Sequence, residues 1–162
     1  MRRMDDPELR ETIDYIAVRR LQDAYADIVT RRAWPELVEI FLPDVRVTID
    51  RRTVEPLVID GPAAIGDFIG RSISGMDFFE FVVLNTRIVL RHEGDDDRAV
   101  ARLYMNELRH DTSGRWTTVY GVYHDVHRRV DGRWWFAERR YHSLARTARD
   151  FDVFAFPTGD QW

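Results

Sequence analysis

The sequence predicts an α+β fold, a conical half-barrel made of a strongly bent, mostly antiparallel sheet with three N-terminal helices packed on its concave face. Helix-period patterns with helix-start residues fill the first part of the chain, and four long β-rich runs joined by short polar turns fill the rest. With 162 residues, 44% hydrophobic and 32% charged, the chain is large enough for one domain with a real core.

Each element has a local cause. Asp6 is placed as an N-cap and Pro7 at the first helical position. Ile13, Ala17, Leu21, Ala24 and Ile28 then recur at spacings of three and four, which predicts an amphipathic helix. A second short helix is expected from Trp34 to about Phe41, stopped by Pro43 and Asp44. The stretch VRVTIDRRTVEPLVID alternates around the polar tip Asp50-Arg51-Arg52-Thr53, a hairpin signal. Asp60-Gly61-Pro62 then opens a third helix through Ile65, Phe68 and Ile69. Strands are expected over 78–92, 98–110, 116–130 and from 133 to about 143. Between the last two, Asp131-Gly132 suits a type I′ turn, which needs positive φ at both central residues. No repeat or linker divides the chain, so 1–162 reads as one domain.

Composition narrows the function classes. A net charge of -4, with acids interleaved among the arginines, argues against a nucleic-acid partner. There is no cysteine for disulfides, zinc ribbons or thiol catalysis. MRRMDDPELRE lacks the apolar stretch of a secretory signal, and no apolar run reaches the roughly 18 residues of a membrane helix. A cytoplasmic protein without a membrane partner is the expectation.

Counting outward from the Asp131-Gly132 turn assigns faces. Tyr120, Val122, His124 and Val126 then share one face with Trp135, Ala137, Arg139 and Tyr141. Counting back adds Ala99, Ala101, Leu103 and Met105, with Glu107 near Thr118, and then Phe81, Val83, Asn85 and Val89. Small apolar walls with sparse polar groups suit a pocket for a hydrophobic small molecule. The other face, with Tyr123, Trp134 and Phe136, needs cover, and a homodimer contact supplies it. His124 and His127 stand three apart in a strand, so they leave opposite faces and cannot share a metal. No metal or cofactor is expected.

Three stretches, YADIVTRRAWPELVEIFLPDVRV, DGPAAIGDFI and GVYHDVHRRVDGRWWFAERRYH, together resemble the SnoaL-like branch of the nuclear transport factor two-like superfamily. That resemblance spans nearly the whole chain. It implies a cone whose helices close a deep apolar cavity, and an outer face used for dimerisation. By the same likeness, 144–162, with Phe151, Phe154, Phe156 and Trp162, would be a lid or a dimer-contact tail. The branch includes polyketide cyclases, scytalone dehydratase, steroid isomerases and small subunits of ring-hydroxylating dioxygenases. The dehydratase-like members carry an acid where this chain has Thr30 and a histidine where it has Phe81, four before Asn85. A second cavity histidine would fall near Thr118.

Candidate catalytic residues are therefore His124, as acid or base near neutral pH, and Asp27, as a desolvated base. Asp27 could equally be the structural partner of an arginine such as Arg139, and His124 a bonded core imidazole. Tyr25, Asn85, Glu107, Thr118, Tyr120 and Arg139 would orient a substrate, and Thr30, Phe81 and Met105 would shape its pocket. The expected activity is a cofactor-independent lyase or isomerase acting on a hydrophobic oxygenated molecule. A non-catalytic binding or assembly protein of the same fold is the alternative.

Overall fold

Helix α1 (Pro7–Arg31) begins as the sequence predicts, with Asp6 Oδ1 accepting from the Glu8 N–H at 3.0 Å and Pro7 in the first turn. It ends where Arg32 turns left-handed (φ 59°) and its N–H reaches the carbonyls of Ile28 and Val29. The computed structural model describes residues 6–52, 54–147 and 152–153. The buried stripe of α1 runs through Val18, Leu21, Tyr25, Ile28 and Val29. It is rotated from the predicted one, and Ile13 lies outside the core, 52% exposed. Position 18 offers the larger apolar side chain, so Val18 rather than Ala17 turns inward.

The second predicted helix is a six-residue 3-10 stretch, Trp34–Glu39. It is followed by β1 (Phe41–Ile49), β2 (Leu57–Asp60), α2 (Pro62–Ser72) and β3 (Met76–Leu90). The chain then runs through β4 (Arg98–Asp111), β5 (Trp116–Val130), β6 (Arg133–Arg146) and β7 (Asp152–Val153). The expectation of three N-terminal helices is thus corrected to two α-helices and a 3-10 stretch, with α2 arriving only after two strands. The sheet order is β2-β1-β6-β5-β4-β3, with β7 paired to β6; every neighbouring pair is antiparallel except β1 and β6. The sheet is open, with β2 and β3 as its end strands, and α1 and α2 contribute Tyr25, Val29 and Ile65 to the core on one face. Residues 144–146 belong to β6 and pair in part with β7, whereas Phe151, Phe154, Phe156 and Trp162 lie outside the described residues. No described helix is long and apolar enough to cross a membrane.

The turn at Asp131 (φ 51°) and Gly132 (φ 75°) is left-handed at both positions, and Val130 pairs with Arg133 as expected. Four residues further on, the count fails. His127 pairs with Phe136 but Val126 with Glu138, so Ala137 is an extra residue in β6. Trp134 and Phe136 before this bulge, and Arg139 and Tyr141 after it, therefore all face the helices. Leu144 is a second extra residue, between Ser143 opposite Gly121 and Ala145 opposite Tyr120, and Leu84 is a third, in β3. Across the 111–115 loop the true pairing is Glu107 with Val119, one residue from the predicted partner Thr118. A slip of one reverses every side chain.

The predicted dimer face is corrected accordingly. Tyr123, Trp134 and Phe136 are buried in the chain's own core beneath α1, while His124 and Tyr120 point to the outer face.

The Tyr141 ring crosses β5 at Gly121, where an added Cβ would lie 2.5 Å from it. It would also lie 3.1 Å from the His142 carbonyl and from Met105 Sδ. Gly121→Ala is expected to cost about 1–3 kcal/mol in urea unfolding through this overpacking. Gly75→Ala, with nothing within 4 Å, is expected to stay within about 0.5 kcal/mol of the parent.

Candidate active site

Between the sheet and the two helices lies an apolar cavity of about 180 Å³. Ile65, Phe68, Ile69 and Ile73 of α2 form one wall, and Val47, Ile49 and Ile59 of the first hairpin form another. Its floor is aromatic. Tyr25 of α1 stands edge-on to Phe81 (ring centroids 5.3 Å apart, 88° between planes) and lies within about 6 Å of Phe41, Tyr123 and Phe136.

Into this floor the Ala137 bulge delivers Arg139. Its side chain is 1% exposed and that of Asp125 is 0%, and the two form a fork of hydrogen bonds, Nε to Oδ1 at 2.7 Å and Nη2 to Oδ2 at 3.1 Å. The guanidinium also lies 4.1 Å from the centroid of the Tyr25 ring, 4.0 Å from Tyr123 and 4.5 Å from Phe136. Burial opposes the charge on Arg139, but Asp125 and the two tyrosines outweigh it and hold its pKa above the ordinary value. Burial lifts the Asp125 carboxyl above the usual carboxylate range, against the pull of Arg139. Arg139 Nη1 makes no hydrogen bond among the described residues.

The tyrosines answer to the same field. Burial raises the Tyr25 hydroxyl above its ordinary pKa, Arg139 and a hydrogen bond with Tyr123 oppose the rise, and Tyr123 itself is pushed well above. Tyr141, nearer the mouth, is pushed up to about 12 by burial and then by Glu107. All three are neutral hydroxyls at physiological pH. Glu107, the one carboxylate among the described lining residues, is bonded by Arg109, which also lines the cavity. Arg146 completes the mouth, its Nε donating to Ser143 Oγ at 3.0 Å.

Of the residues singled out from sequence, Tyr25, Phe81, Glu107 and Arg139 line this cavity. The others do not. Asp27 lies on the solvent side of α1, its side chain 60% exposed and held by Arg31 at 2.8 Å rather than by Arg139. Thr30 Oγ1 accepts from the Phe81 N–H at 3.0 Å and so ties α1 to β3. Asn85 is turned outward and exposed by the Leu84 bulge. Met105 is buried in the core behind Gly121. Thr118 donates its hydroxyl to Asn106 Oδ1, and Tyr120 is 38% exposed on the outer face. His124 lies on that outer face, edge-on to His142 with ring centroids 5.5 Å apart; His142 Nδ1 in turn sits 3.0 Å from Asp50 Oδ2. The parity errors at Ala137 and the 111–115 loop explain the misplacement of His124, Tyr120 and Thr118. Counting placed Tyr141 on the cavity face without making it a site residue, and it missed Tyr123, Arg109 and Arg146; the alternation Glu107-x-Arg109 on one strand was the signal for Arg109. No three His, Asp or Glu side chains converge as metal ligands among the described residues.

An open sheet capped by helices over an apolar cavity with a buried arginine defines an α+β cone. The sequence profile of the SnoaL-like domain matches residues 10–140, and the chain belongs to that family. No curated protein matches it by sequence. Among solved structures it resembles LinA (TM-score 0.76, 20% identity, 93% of this chain and 99% of that one). It also resembles a candidate scytalone dehydratase from Novosphingobium aromaticivorans (TM-score 0.74, 20% identity, 94% and 97% covered). The hexachlorocyclohexane dehydrochlorinase LinA-type3 from Novosphingobium barchaimii LL02 is similar as well (TM-score 0.74, 17% identity, 91% and 94% covered). At these identities the likeness is one of fold.

Two outcomes follow from the buried charges. Asp125→Ala, which strands Arg139 without its counter-ion, is expected to cost about 3–5 kcal/mol in urea unfolding, and Arg139→Met in the same chain to recover most of it. His127, fully buried against Phe136, has its pKa lowered to about 3 by burial and then by Arg139. Between the unfolded value near 6.5 and about 3, the unfolded chain takes up a proton that the folded chain refuses, so stability falls as pH falls. From pH 7 to pH 5 the loss is expected to reach about 2 kcal/mol, and urea midpoints of His127→Phe should show that slope removed.

Proposed function

We propose that the chain binds a one-ring, hydrophobic, oxygenated molecule in this cavity and catalyses a lyase- or isomerase-type proton transfer next to its carbonyl. The observation that carries the reading is the placement of Glu107 in an apolar cavity whose floor holds Tyr25, Tyr123 and Arg139. An apolar cavity of about 150 Å³ accommodates a benzene ring, which sets the size class. Glu107 takes the proton α to the carbonyl as general base. The oxygen that gains charge accepts hydrogen bonds from the neutral tyrosine hydroxyls and from Arg139 Nη1. From the enolate, expulsion of a β-substituent completes an elimination, and return of the proton from Glu107 to another carbon completes an isomerisation. The dehydratase and dehydrochlorinase names borne by similar folds support the elimination branch.

Glu107 takes the role first given to His124 and Asp27, both of which lie outside the cavity. A second reading, a binding protein without catalysis, is favoured by the bond that already holds Glu107 to Arg109.

The test is α-deuterium exchange followed by NMR, with one-ring ketones offered with and without a ring carboxylate. The parent is expected to exchange at least one of them 10²-fold or more faster than Glu107→Gln, within the usual range for general-base catalysis. Ketone binding with equal, background exchange in both proteins would leave only the binding reading.

A further inference from the structure

We infer that the ligand of this cavity is a monoanion, a one-ring molecule whose carboxylate sits at the mouth against Arg146 and Arg109 while its ring fills the apolar chamber. The inference rests on the cavity reading above and adds the charge of the occupant.

Its first ground is a charge balance. Arg109, Arg139 and Arg146 line the cavity, and the carboxylates bonded to them are Glu107 on Arg109 and Asp125 on Arg139. Three guanidiniums against two carboxylates leave one positive charge, and it belongs to Arg146, whose one hydrogen-bonded side-chain partner among the described residues is the neutral Ser143 hydroxyl. The second ground is position. Glu107, Arg109 and Arg146 all act on the Tyr141 hydroxyl, which itself hydrogen-bonds with Ser143, so the excess charge and a neutral donor meet at one end of the chamber. The third is Arg139 Nη1, a donor on a side chain 1% exposed, with no bond among the described residues. Its charge is already balanced by Asp125, so it suits a neutral acceptor such as a carbonyl oxygen. One end of the chamber therefore asks for an anion and the other for an uncharged oxygen. Together they describe a cyclic oxo-acid or a ring carboxylate of similar size.

The experiment compares benzoate with benzamide, its neutral near-isostere, by titration calorimetry on the full chain at 20 mM and 300 mM NaCl. Benzoate is expected to bind about tenfold more tightly at low salt, with the advantage shrinking at high salt as the exposed part of the attraction is screened. Arg146→Gln is expected to bring benzoate down to the benzamide value in the same variant, and Arg146→Lys to keep most of the preference. Benzamide binding as well as benzoate in the parent, or a benzoate preference that survives Arg146→Gln, would overturn the monoanion and leave the cavity reading intact. Binding of neither probe would overturn both.

Discussion

The floor of the cavity is organised around one fully buried ion pair, Arg139 with Asp125. A guanidinium and a carboxylate buried together are tolerable only if the pairing geometry is good and the remaining surfaces are covered. Asp125 meets two of the three nitrogens of Arg139, and three aromatic rings cover the guanidinium. Those rings come from α1, β5 and β6, so the pair fixes where the helix lies on the sheet. It also fixes the character of the site. The pair takes up the charge of Arg139 and leaves Nη1 without a hydrogen bond among the described residues.

The mouth is built differently. Glu107, Arg109 and Arg146 are less deeply buried, and the bonds among them and Ser143 are of the kind that exchange partners when a ligand arrives. A neutral, fully buried interior thus lies beneath a charged, more exposed rim. Gly121 makes the arrangement possible, because only a residue without a side chain lets Tyr141 cross β5 and reach the rim.

The fold was legible in the sequence because its signals are local. Asp6 and Pro7 start the first helix, and the Asp131-Gly132 turn sets the last hairpin, independently of anything distant. The site was legible only in part. Tyr25, Phe81, Glu107 and Arg139 were found from residue type and position, but the faces of β5 and β6 depend on parity, which one extra residue reverses. No glycine or proline marks the bulges at Ala137, Leu144 or Leu84, so counting could not detect them. The same error sent His124 inward and Tyr123 outward. Thr30 failed for another reason: its hydroxyl serves a backbone N–H, a role that residue type does not distinguish from substrate contact.

The bulge at Ala137 has an evolutionary side. Arg139 faces the cavity and Arg140 the outer surface because Ala137 is looped out between Phe136 and Glu138 and takes no rung of the ladder. Loss of that residue would leave Phe136 opposite His127, Glu138 opposite Val126 and Arg139 opposite Asp125 in an unbroken ladder, with Arg139 and Tyr141 still turned to the cavity and Arg140 and His142 still outside. A lineage carrying this strand can thus keep or lose that one codon without revising the side chains that line the cavity.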